Sequence, residues 1–172
     1  MHRRAPDAFD PDGPKVRKLR RRMLNRWILR MYMLRWLPLG LIAGLRVRTL
    51  DGKVGEATVP YRWLTTNPFR STYFAALSMA AELSQGALGM AVVESAPEPV
   101  SILIVGMEAE FVKKATDLTT FRCEGGEQMA EAVVKTLETG EPVRITLESV
   151  GRNESGLEVA RFRYAWSFKR KR

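Results

Sequence analysis

Glu82 is the residue whose placement most asks for a chemical explanation. It is the single charge in the 23-residue run Ser71–Val93, STYFAALSMAAELSQGALGMAVV. A carboxylate in so apolar a stretch must be paired, hydrogen-bonded or neutralised, or it is kept there for acid–base work. Polar side chains stand near it in sequence: Asn67 in the preceding loop, Ser71 and Thr72 at the start of the run, and Ser78 four positions before Glu82. The chain's only histidine is His2 and its only cysteine is Cys123. Ser-His-Asp and Cys-His catalysis, histidine proton shuttles, internal disulfides and cysteine-based metal clusters are thereby excluded. Carboxylates, hydroxyls, amides and backbone dipoles remain, and no metal or cofactor is expected.

The apolar run must be a helix. Ala75, Ser78, Met79, Glu82, Gln85, Gly86 and Gly89 share one face on a 3.6-residue period, while Phe74, Leu77, Ala81 and Leu88 lie on another. The Glu82 face is small and polar, so a second chain or a ligand can approach it. Ser71 or Thr72 is expected to cap the helix. Asn67, before Pro68, has an ordinary reading as a turn residue. Ser78 is a candidate for positioning a water. For Glu82 the structural alternative is an ion pair with an arginine of the amino-terminal region or of a partner chain.

The elements that position this helix follow in order. Residues 1–14 read as a loose basic arm. Residues 15–39 carry Val16, Leu19, Met23, Trp27, Met31 and Leu34 at spacings of three and four, interleaved with Arg20, Arg26, Arg30 and Arg35. That pattern predicts one amphipathic helix ended by Pro38 and Gly40. Three readings stay open for it: docking on the domain, lying on a membrane surface, or touching nucleic acid. Arg30 and Arg35 interrupt it too soon for a bilayer span, and no small-residue cleavage site marks a signal peptide. Asp51-Gly52 predicts a hairpin between residues 45–50 and 53–62. Strands are expected over 100–114, 119–123, 143–150 and 157–169, with a helix over 127–139 closed by Gly140. In the last strand Phe162, Tyr164, Trp166 and Phe168 alternate with Arg161 and Arg163, the pattern of a core face.

The net charge of +9 is unevenly spread. Residues 1–35 hold eleven Lys/Arg against three Asp, and the last four residues add +4, which leaves the body at −3. A near-neutral body with basic ends is not the charge pattern of a groove-binding nucleic-acid fold. At 172 residues the chain has a one-domain length. The economical architecture is α+β, a sheet with one face covered by the long helix.

The order of elements, with NPFRSTYFAALSMAAELSQGAL entering the central helix, resembles the hotdog-fold thioesterases, and within them a bacterial branch grouped as a domain of unknown function. The matching points are Asn67, the small-residue start Tyr73-Phe74-Ala75-Ala76, Glu82, and a Thr139-Gly140-Glu141 turn before paired strands with a tryptophan. The resemblance covers residues 40–169. It implies a long central helix wrapped by a curved antiparallel sheet over 40–172, paired as a homodimer or dimer of dimers with sites at the interface. It also implies hydrolysis of acyl-coenzyme A or acyl-carrier-protein thioesters in the cytoplasm. Glu82 would be the base or nucleophile, helped by Asn67. Backbone N–H groups near the helix start would hold the oxyanion. Ser71, Thr72, Tyr73, Ala75, Ser78 and Met79 would line the substrate. In place of the glycine pair of better-studied branches stand Tyr73, Phe74 and Ala75. The alternative is a hotdog module that binds an acyl chain without hydrolysing it. Lys113, Lys114, Arg122, Arg152 and Arg161 are the cations available to a ligand's phosphates.

Overall fold

The computed structural model describes residues 13–171. Most of the expected loose arm, and His2 with it, lies outside the described residues. The elements are α1 (Pro14–Leu24), α2 (Arg26–Trp36), α3 (Pro38–Ala43), β1 (Arg46–Leu50), β2 (Gly55–Val59), α4 (Phe74–Ser95), β3 (Val100–Phe111), β4 (Thr119–Cys123), α5 (Gly126–Thr139), β5 (Val143–Arg152) and β6 (Glu158–Arg170). All strand pairs are antiparallel, in the order β1-β2-β4-β5-β6-β3.

The sheet curves around α4. Its inner face buries Phe121, Phe162, Tyr164, Trp166 and Phe168 against the helix residues Leu77, Ala80, Ala81, Leu88 and Val92. The alternation expected of β6 therefore holds, with Arg161 and Arg163 outside. By length and composition α4 could cross a bilayer, but it is largely buried here as the core helix. Close approach is allowed by Gly55, where an added Cβ would lie 2.1 Å from the Ser84 carbonyl oxygen. The predicted hairpin turn forms at Gly52, whose φ of 91° only glycine adopts readily. The Asp51 carboxylate accepts from the Lys53 and Val54 N–H groups there.

The amino-terminal region departs from its sequence reading. The single helix expected over residues 15–39 is three. Asn25 adopts an extended conformation (φ −80°, ψ 115°) and ends α1. Its side chain accepts from the N–H groups of Trp27 and Ile28, which caps α2. α2 does end before Pro38, at Trp36 with Leu37 as its cap, but Pro38 then opens α3 and Gly40 lies inside that helix rather than ending one. The break turns the apolar stripe. Val16, Leu19 and Met23 of α1 are buried, but in α2 the buried residues are Leu29 and Met33, and Trp27, Met31 and Leu34 face outward.

β3 is an edge strand with one irregularity, between Ile104 and Gly106 in its register with β6. Ile102 and Ile104 in its first half pack against the core, Ile102 beside Gly89 of α4, while its second half is left open on the inner face. Met107 and Phe111, opposite Tyr164 and Ala160, are 51% and 54% exposed.

Candidate active site

Glu82 lies in the middle of α4, on the side turned to β6 and β3. Among the described residues no cation and no hydrogen-bond donor contacts its carboxylate, so the alternative of an ion pair with an arginine of the amino-terminal helix does not hold within the chain. Burial alone pushes its pKa up. Its surroundings come from β6 and from its own helix. A Cβ at Gly86 would lie 2.8 Å from Glu82 Oε1 and 4.0 Å from the Trp166 ring, so the missing side chain is what leaves room for both. The Tyr164 phenol is close enough to feel the charge. Its pKa is pushed up to about 12, first by burial and further by Glu82, against a lowering by its hydrogen bond to Ser78.

Ser78 is already engaged. Its hydroxyl lies 2.9 Å from the Tyr164 hydroxyl and donates weakly to Met107 Sδ at 3.6 Å, while Tyr164 also reaches the Ser78 carbonyl at 2.9 Å. In this structure it ties α4 to β6 and β3. Gln85, one turn past Glu82's neighbours, is fully buried. It accepts from Trp166 Nε1 at 2.7 Å and donates to the Leu147 carbonyl and the Ser149 hydroxyl. That network fixes the tryptophan beside the carboxylate. Sequence reasoning placed Gln85 on the Glu82 face but read Tyr164 and Trp166 only as core. Their position opposite Glu82 depends on strand order, which no local pattern carries.

The start of α4 forms a second place. Asn67, Thr72, Phe74, Leu77, Phe111 and Lys114 are among the residues lining a cleft of about 580 Å³, with Ser71, Tyr73 and Lys113 also on its wall. Asn67 organises the loop. Its side-chain oxygen accepts from Phe69 N at 3.0 Å and from the backbone and hydroxyl of Ser71 at 3.3 Å, and Arg70 takes a positive φ of 57°. Neither Ser71 nor Thr72 caps the helix. The cap position is Tyr73, which makes no side-chain cap bond. Thr72 instead bonds the Ala115 carbonyl through both its N–H and its hydroxyl, which pins the loop to the segment after β3. The Phe74 and Ala75 N–H groups begin the helix without an intrahelical acceptor, since the first bonds back to Tyr73 come from Ala76 and Leu77.

The two places are separate within one chain. From Phe74 to Glu82 the helix rises roughly 12 Å at about 1.5 Å per residue. Asn67, Ser71, Thr72 and Tyr73 share the cleft; Ser78, bonded to Tyr164, and Glu82 lie further along α4 beside β6 and do not line it; Ala75 and Met79 are half-buried on the helix between and around them. The cations divide as well. Arg122 pairs with Glu56 and Glu124, Arg152 approaches Glu158, and Arg161 pairs with Glu148 and Glu158. Among the described residues Lys113 and Lys114, at the cleft, form no ion pair; Lys114 donates to the Phe69 carbonyl.

A family described as a domain of unknown function (DUF4442) matches residues 25–167 of the chain. No curated protein matches it in sequence. Solved structures share its fold. A protein of unknown function from Pseudomonas aeruginosa, described as a probable thioesterase, is 19% identical with a TM-score of 0.71 over 87% of this chain and 99% of its own. A protein of unknown function from Chlorobaculum tepidum is 14% identical, with a TM-score of 0.70 over 87% and 99%. A thioesterase from Haemophilus influenzae is 14% identical, with a TM-score of 0.62 over 85% and 91%. The long helix in its curved six-stranded sheet is the hotdog fold.

Proposed function

We propose that this chain, which belongs to the DUF4442 family and has the hotdog fold, hydrolyses acyl thioesters with Glu82 as general base. The observation that carries the reading is the Glu82 carboxylate itself, half-buried in an apolar helix and, among the described residues, without a cation or hydrogen-bond donor. A raised pKa makes a carboxylate a stronger base near neutral pH.

In the proposed reaction Glu82 takes a proton from water. The water oxygen attacks the thioester carbonyl carbon. The oxyanion is held by N–H groups at a helix start, Phe74 and Ala75, where the helix dipole favours negative charge. The C–S bond then breaks, and the leaving sulfur receives the proton from Glu82. The helix start of the same chain is too far from Glu82 to serve. A second copy, added across the free edge of β3, supplies it from an antiparallel helix. The apolar exposed residues along that strand, Leu103, Val105 and Met107, suit such a contact. Lys113 and Lys114 suit the phosphates of a coenzyme A substrate; an acyl-carrier protein would meet the same two cations.

The test is turnover of acyl-coenzyme A by Glu82→Gln beside the parent protein. Loss of turnover with no loss of thermal stability supports the base. Unchanged turnover overturns it. A second reading rests on Tyr73, Phe74 and Ala75 at the helix start, where side chains crowd the approach of a carbonyl. On that reading the protein binds acyl thioesters without hydrolysing them, and calorimetric binding of a long-chain acyl-coenzyme A with no thiol release selects it.

A further inference from the structure

The amino-terminal helices and the first strand enclose a cleft of about 590 Å³, on a different part of the molecule from Glu82. Five arginines line it: Arg26 and Arg30 of α2, Arg46 and Arg48 of β1, and Arg62 beyond β2. Among the described residues no aspartate or glutamate does. Among the described residues none of the five forms an ion pair. Arg62 gives one N–H to the Ile42 carbonyl, and Arg26 lies 5.6 Å from the centre of the Trp27 ring. On the sheet, Arg122, Arg161 and Arg163 are matched with carboxylates. Here burial, and then repulsion from Arg26, Arg48, Arg30 and Arg62, holds the Arg46 guanidinium below its ordinary value. Convergent guanidinium groups without a counter-charge match the geometry and charge of a phosphate.

The surface beside the cleft is apolar. Trp27, Met31 and Leu34 of α2 are 70%, 66% and 58% exposed, and Leu39 and Ile42 of α3 are exposed as well. At 3.6 residues per turn, Arg26 and Arg30 fall on α2 between this outward stripe and the buried Leu29 and Met33. The arginines thus stand at the border between an apolar surface and the body of the protein. A helix that presents aromatic and aliphatic side chains outward with arginines along their margin suits the headgroup boundary of an anionic bilayer.

We propose that α2 and α3 dock this protein on a membrane surface, with Trp27, Met31 and Leu34 at the acyl-chain boundary and the five-arginine cleft taking the phosphate of an anionic phospholipid. The two parts depend on each other: insertion brings the headgroups level with the cleft, and the cleft selects the anionic ones. This docking stands independently of thioester hydrolysis.

The experiment is co-sedimentation of the full chain with phosphatidylcholine vesicles, with and without phosphatidylglycerol. Binding is expected only to the anionic vesicles. Arg30→Gln with Arg46→Gln should weaken it roughly tenfold or more, from the usual attraction per basic residue near an anionic surface. Lys18→Gln with Arg21→Gln makes the same charge change on the exposed side of α1, and should weaken binding by less than about threefold. Trp27→Ser with Leu34→Ser should abolish it. Thermal unfolding should show both variants at the cleft and on the apolar face as stable as the parent. Equal weakening by the two charge-matched pairs overturns the proposal. So does equal binding to neutral vesicles, or no vesicle binding even where inorganic phosphate binds the cleft. A fall in solution mass of the Trp27→Ser, Leu34→Ser variant without vesicles would assign that face to a second copy and overturn it too.

Discussion

One strand separates two treatments of the same functional group. On the outer face of β6, Arg161 pairs with Glu148 at 3.1 Å and Glu158 at 2.9 Å, while Arg163 pairs with Glu110 at 2.6 Å and Glu148 at 3.0 Å. On the inner face, past Tyr164 and Trp166, Glu82 has no cation or hydrogen-bond donor among the described residues. The outer carboxylates sit in water beside cations, and the Arg163 guanidinium holds Glu110 below its ordinary range. The inner one is pushed the other way by burial. Exposed ion pairs add little stability, about 0–1 kcal/mol each. An unpaired buried carboxylate detracts from it. Within the described residues Glu82 meets no compensating charge, which makes it the group on which the proposed chemistry is tested.

The widest contrast is kinetic. Glu82→Gln should lower acyl-coenzyme A turnover by about 10²–10⁴-fold, the usual worth of a general base, while Glu148→Gln leaves it unchanged. Equal effects in a steady-state assay would erase the distinction between the two faces. Next comes the support behind Glu82. Gln85→Leu strands the Trp166 indole N–H and removes a partner of Ser149, and should cost about 1–3 kcal/mol in chemical denaturation. A smaller effect is expected from Gly86→Ala. Its added methyl meets the end of the flexible Glu82 side chain, so turnover should fall several-fold as the carboxylate is displaced, with the melting temperature nearly unchanged.

The pH dependence follows the sign of the shift. Below the ordinary carboxylate value Glu82 is protonated in folded and unfolded chains alike, and burial imposes no charge penalty. As pH rises through that value and past the raised folded one, the folded chain must carry a desolvated charge, and stability is lost. Glu82→Gln should therefore melt higher than the parent at alkaline pH, with the gap closing in acid. The smallest effect is Glu148→Gln, which should shift stability by no more than about 1 kcal/mol, read from urea unfolding at matched ionic strength.

Legibility in the sequence tracked how local the determining interactions are. The aromatic alternation of β6, the Asp51-Gly52 turn and the long helix each depend on neighbours a few residues away, and each was readable. Glu82 was readable because one charge in an apolar run is conspicuous in any fold. Tyr164 and Trp166 were readable as buried, but their place opposite Glu82 follows from β6 lying between β5 and β3. The break at Asn25 was hidden because apolar spacings of three and four continue unbroken from Val16 to Leu34. One extended residue rotates the second half of that pattern out of the core. The arginine cleft was out of reach for the same reason, since it gathers side chains from three stretches that meet only once the helices fold back on β1.

The irregularity in β3 has a bearing on assembly. A free edge of twelve residues is long enough to template stacking with any other extended chain. The interruption between Ile104 and Gly106 divides it into two short runs whose N–H and C=O groups do not continue one straight row. A flat, indefinitely repeating strand cannot pair with both runs at once. A second copy of the same strand, carrying the same offset and related by a two-fold axis, meets it on equal terms. The offset thus interrupts the edge in the backbone, and the exposed carboxylates of Glu108 and Glu110 in the second run add charge to it.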